Sequence, residues 1–153
     1  MKLRGYRGGD RALLAGPWPA GELLGLPMTN WPALAEPTTV APPVGPDEEL
    51  CVVPGVAFVR YTDLDWVHRR ARLEIGARPG QADAVDLLLK LAVTHGFVGL
   101  NLRRLYGWVT PAARPATQAL ESAGFVREAS VPDAGWLDGG PVEREIWGAV
   151  RHD

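Results

Sequence analysis

Residues 101–125 read NLRRLYGWVTPAARPATQALESAGF. Leu105, Tyr106, Trp108 and Val109 favour an extended chain. Thr110 can accept backbone N–H bonds as an N-cap, and Pro111 suits a first helical position because it needs no amide partner. Ala112, Ala116, Ala119, Leu120 and Ala123 form a small apolar helix face. Gly124 can take the left-handed conformation that ends a helix. Phe125 and Val126 then restart an extended run. Strand, short helix, strand is the unit from which α/β folds are built.

Ala82–Thr94 shows the clearest helical period, with Ala84, Val85, Leu88, Leu91 and Ala92 inward and Gly96 as its stop. Arg70–Ala77 alternates as a strand, with Ala71, Leu73 and Ile75 on one face. Glu48–Val53 and Val56–Tyr61 read as strands joined at Pro54-Gly55, and Asp63-Leu64-Asp65 as a further turn. Val142–Val150 is a last strand after the turn-rich Asp138–Pro141, and its apolar residues suit a sheet edge. Lys2–Arg7 reads as an edge strand. Asp10 is placed to cap a short helix stopped by Gly16-Pro17, and Ala20–Leu26 adds another helical turn. Residues 28–46 hold five prolines and form an irregular segment. The order predicts an α/β (α+β) fold: a mixed, mostly antiparallel sheet flanked by helices, in one domain over residues 1–153.

The composition bounds the function. With 46% hydrophobic residues the chain can bury a core, and a net charge of −2 gives no general pull toward nucleic acid or an anionic membrane. One cysteine, Cys51, excludes an intramolecular disulfide, and it reads as a buried strand residue. No leader pattern or membrane-length apolar run is visible, so a cytoplasmic protein is expected.

Two phrases carry a family resemblance: Leu100–Arg104 at the strand entry, and Glu121-Ser122-Ala123-Gly124-Phe125 after the helix. In both, the chain resembles the GCN5-related N-acetyltransferases, in particular the branch acting on ribosomal-protein amino termini. The resemblance runs from Leu3 to Val150 and is strongest after Val56. It implies the fold of that family and acetyl-CoA, or another acyl-CoA, held where Arg70–Ala77 and Arg103–Val109 splay apart. It implies that Ile75, Gly76 and Ala77 offer backbone to the thioester arm. The turn Arg78, Gly80, Gln81 and Ala82 would meet the pyrophosphate, and Ala113 would lie against the cofactor arm. It further implies acetyl transfer to a primary amine on a small molecule or peptide. The family's phosphate turn is longer, its helix carries asparagine where Ala113 stands, and its acid tyrosine is replaced by Leu120. Asp83 and Asp86 in the first helical turn also disfavour a diphosphate. A non-catalytic ligand- or protein-binding domain and a different biosynthetic reaction therefore stand as alternatives.

Acyl transfer needs a neutral amine, an oriented carbonyl and a proton acceptor. Glu74 is the first candidate base, with a solvated ion pair as the other reading. His68 is second by its intrinsic titration range. Tyr106, Trp108 and Trp136 are candidate acceptor-pocket residues or plain packing aromatics. Asp63, Asp65 and His68 match no zinc or calcium spacing, so no metal is expected. His95 reads as a helix-end residue. Arg69, Arg70, Arg72, Arg78, Arg103 and Arg104 form a basic zone suited to phosphate. A monomer or homodimer is expected.

Overall fold

The computed structural model describes residues 1–15, 21–25, 40–78, 80–113 and 115–152. Seven strands form one sheet in the order β1-β2-β3-β4-β5-β7-β6. They are β1 (Arg4–Gly5), β2 (Glu49–Val53), β3 (Ala57–Asp65), β4 (Arg70–Ala77), β5 (Arg104–Val109), β6 (Val126–Leu137) and β7 (Gly140–Val150). Among these seven strands of the described residues only β4 and β5 pair in parallel, and the chain between them supplies the crossover helix that such a pair requires. That helix is α1 (Val85–Thr94), entered through a 3-10 turn at Ala82–Ala84. A second helix, α2 (Thr117–Ser122), joins β5 to β6.

Strand alternation divides the core in two. Cys51 and Val53, Val59 and Tyr61, and Ala71, Leu73 and Ile75 face α1, where they bury Val85, Leu88, Leu89 and Ala92. The Tyr61 hydroxyl donates to the Ala92 carbonyl and ties β3 to that helix. On the opposite face, Leu50, Val52 and Phe58 pack with Leu13, Leu14 and Val40. Leu13 and Leu14 come from a 3-10 turn, Gly8–Leu14, whose start is fixed by Asp10: its carboxylate accepts from the Arg7 amide at 2.8 Å and from the Arg4 guanidinium.

Several local expectations shift. The β3–β4 turn lies at 66–69, and Asp63 instead sits in an irregularity of β3 with φ 51°. Gly96 does not stop the helix; the chain continues as a π-turn, His95–Gly99. Thr110 does not cap the next helix: Pro111–Ala113 is a 3-10 turn, and α2 starts only at Thr117. The β6–β7 hairpin turns at Asp138 and Gly139, both with positive φ, as a two-residue Asp-Gly connection requires. β7 lies inside the sheet between β5 and β6, not at its edge, because β6 forms the long outer arm of that hairpin. Of the proline-rich segment, residues 28–39 lie outside the described residues, as does the Gly16-Pro17 stop.

Candidate functional site

β4 and β5 run side by side only from Arg70/Arg104 to Arg72/Tyr106. Beyond that point, residues 21–25 enter between them as a short extended piece, parallel to both strands. The expected helical turn therefore does not form over 21–25. The Leu23 amide donates to the Trp108 carbonyl at 2.7 Å, the Ile75 amide donates to Leu23 at 3.1 Å, and the Gly25 amide donates to Ile75 at 2.7 Å. Leu23 is fully buried and Leu24 nearly so. Gly107 makes room for this strap: a Cβ there would stand 2.8 Å from Leu23 Cβ and 3.0 Å from the Leu73 carbonyl.

Ile75 lies at the divergence of the strands, but both its backbone groups are already bonded to the chain itself. Gly76 and Ala77 continue β4, paired with Phe58 and Ala57. The strap also carries Glu22 into a buried polar cluster. The Thr110 hydroxyl donates to Glu22 at 2.5 Å, and Arg144 donates to the same carboxylate oxygen at 3.2 Å. Burial pushes the Glu22 carboxyl up, against the opposing pull of Thr110 and Arg144. The Arg144 guanidinium stacks 4.7 Å above the Trp108 ring.

Opposite residues of a parallel pair share a face, so Arg72 and Glu74 lie on the same side as Tyr106 and Trp108. Glu74 is buried there, 3.5 Å from Arg72 and 4.0 Å from Arg60. Tyr106 is covered by Arg104 at 5.4 Å. The structure thus brings Glu74, Tyr106 and Trp108 together on one face beside the divergence, and adds Glu22, Thr110 and Arg144. Sequence reading missed these three. Glu22 lay in a supposed helix and Thr110 in a supposed cap, and no local pattern marks the contact between them.

Other candidates fall elsewhere. His68 is 70% exposed in its side chain and bonded to Asp65 at 3.0 Å. It lies beyond Arg70, and Arg70 is already ~17 Å along β4 from Ile75. Trp136 is 70% exposed on β6, the far edge strand. The Arg78 guanidinium donates to the Ala12 carbonyl, and the Gln81 amide to the Arg78 carbonyl, so neither is held ready for phosphate. Gly80 keeps an open left-handed position with φ 85°. Ala82 opens the 3-10 turn before α1. Ala113 is buried, its amide bonded to Thr110. Leu120 is core. The basic zone is largely spent on internal partners: Arg70 on Asp65, Arg72 on Asp63 and Glu74, and Arg104 on Glu128.

Two further features stand apart from the divergence. An open hollow of about 700 Å³ lies beside α2, lined by Thr117, Glu121, Phe125, Arg127, Glu145 and Trp147. On the α1 side, Glu49, Cys51 and His95 converge. His95 lies 2.7 Å from Glu49, and its hydrogen bonds to Cys51 and then Glu49 push it up to about 10.

The architecture matches solved structures. A point variant of the spermidine N-acetyltransferase SpeG from Vibrio cholerae superposes with a TM-score of 0.64 at 22% identity, over 69% of this chain and 66% of that one. This is the N-acetyltransferase fold. A dodecameric structure of that enzyme gives a TM-score of 0.64 at 21% identity, over 69% and 66% of the two chains. A chimeric SpeG gives 0.62 at 23%, over 68% and 67%. The chain thus spans just under two thirds of the first of these N-acetyltransferases. No family profile and no curated protein matches it.

Proposed function

We propose that the chain is an acyl-CoA-dependent N-acyltransferase for a primary amine, seen here in a closed form in which residues 21–25 occupy the cofactor's place. The observation that carries this reading is the strap itself. Ile75 donates and accepts, and Trp108 accepts, in bonds to an extended backbone. An extended arm with amide groups, such as that of an acyl-CoA, can make the same bonds once the strap withdraws. The N-acetyltransferase fold and the divergence of β4 from β5 support it.

The chemistry follows from the groups on the face of the divergence that carries Glu74, Tyr106 and Trp108. Glu74 is fixed on β4 next to Ile75, whereas Glu22 would leave with the strap. Glu74 is therefore the carboxylate positioned to take the amine's proton as the amine attacks the thioester carbonyl. The new C–N bond forms as the C–S bond breaks, and the thiolate leaves without a protein acid, since Leu120 cannot donate. Trp108 and Tyr106 line the same face, their rings stacked by Arg144 and Arg104. Acyl transfer is direct, with no covalent intermediate on the protein.

A second reading is a binding domain that performs no transfer, favoured by the same occupied backbone of Ile75 together with Ala113 and Leu120. Calorimetric titration of acetyl-CoA, followed by an acetylation assay on a panel of primary amines that includes polyamines, separates the two. Saturable binding with product formation supports the transferase. Binding without product supports the second reading. No heat at high micromolar acetyl-CoA rejects the cofactor.

A further inference from the structure

We propose that Glu49, Cys51 and His95 form a site for a zinc-type divalent metal ion, independent of the acyl-transfer reading. One ligand atom from each lies within 4.8 Å of the other two. The sequence spacing gave no sign of a metal here, because the third residue comes from a distant helix end.

The placement is built by the fold. Glu49 and Cys51 are alternate residues of β2, so both project on the α1 side. β2 is paired on both flanks, by β1 and β3, which fixes that spacing. His95 opens the π-turn that follows α1, an irregularity that recurs at functional sites. Gly99, at the end of the same turn, leaves space for the ring: a Cβ there would lie 2.8 Å from His95 Nδ1. Tyr61 packs its ring 5.7 Å from the imidazole, and its hydroxyl is already committed to Ala92. It shapes the pocket without competing for a ring nitrogen.

The donor set names the ion class. A thiolate selects against magnesium and calcium, and sulfur, imidazole and carboxylate together suit zinc. Donors around a tetrahedral zinc stand about 3.5 Å apart, so His95 and Glu49, now 2.7 Å apart in a hydrogen bond, would part to admit the ion while the more distant donors, within 4.8 Å, draw in. Three protein ligands leave a fourth position. Cys51 is buried, whereas Glu49 and His95 are each about a third exposed, which turns that position toward solvent. Binding would release the thiol proton and any proton on the imidazole.

The test uses the full chain stripped of metal by chelator and titrated with Co²⁺, following the thiolate-to-cobalt charge-transfer absorption. The expected result is a band that saturates at one equivalent and is displaced by Zn²⁺. It should be abolished in Cys51→Ser. His95→Ala should weaken cobalt binding by more than about 100-fold, since loss of an outer-shell partner alone costs roughly 10–100-fold. His95 lies outside the tightest core, so this variant and Glu49→Gln keep the test open if Cys51→Ser fails to fold. No band at millimolar cobalt, or a band unchanged in His95→Ala, overturns the site.

Discussion

Leu23→Ala tests whether the strap competes with a cofactor. The side chain is fully buried between β4 and β5, against Gly107. Truncating a buried leucine costs about 2–5 kcal/mol. At the lower end, about 2 kcal/mol is removed from the closed form alone, because an opened strap exposes Leu23 in any case. If the closed form is what acyl-CoA must displace, its apparent affinity rises about 30-fold for that change. The gain levels off once the closed form is no longer dominant. The same loss should lower the melting temperature of a chain this size by about 4–8 °C. Isothermal calorimetry with acetyl-CoA on wild type and variant, paired with thermal melts, reads both effects. A variant that melts earlier yet binds acetyl-CoA no better than wild type would refute the competition. The strap would then be ordinary core.

Other outcomes follow from the same geometry. Glu74→Gln should cut acyl transfer by about 10²- to 10⁴-fold while acetyl-CoA binding changes little, read as kcat against Kd; an unchanged rate rejects Glu74 as proton acceptor. Gly107→Ala places a methyl against Leu23 and the Leu73 carbonyl, so it should cost about 1–3 kcal/mol and release the Leu23 and Gly25 amides to hydrogen exchange first. Asp10 is held down to about 2, chiefly by its hydrogen bond with Arg4 and then by the Arg7 amide. Its contribution is complete above its unfolded value of 3.8 and is lost as pH falls toward 2. In Asp10→Asn, denaturant midpoints should show a shallower decline between pH 4 and 2; an equal decline would remove Asp10 from the account.

Part of the sheet was legible because some strands carried their own alternation, whereas the long arm β6 was read only as a restart at Phe125 and Val126. Arg70–Ala77 is observed with the same bounds, and its Ala71, Leu73 and Ile75 face α1 as the period required. Gly124, with φ 96°, ends α2 as a glycine at that position should. What could not be read was long-range. Nothing local to Glu22 or Leu23 signals pairing with Trp108 and Ile75, which lie more than fifty residues away. The strap has five described residues and no alternation of its own, and its amides find partners only where two other strands part. The same reason hid His95: its neighbours Glu49 and Cys51 lie on a strand whose proximity depends on α1 crossing the sheet. Thr110 was misassigned for a related cause, since its hydroxyl serves Glu22 across the divergence and not the following helix.

Hydrogen–deuterium exchange of residues 21–25 and 73–77, with and without saturating acetyl-CoA, reads whether the strap yields its place to the cofactor. Leu23 and Gly25 should lose protection when the cofactor binds, while the Ile75 amide stays protected because its acceptor is exchanged, not lost. Continued protection of Leu23 and Gly25 at saturating acetyl-CoA would contradict it, and would show that residues 21–25 fill the space between β4 and β5 permanently.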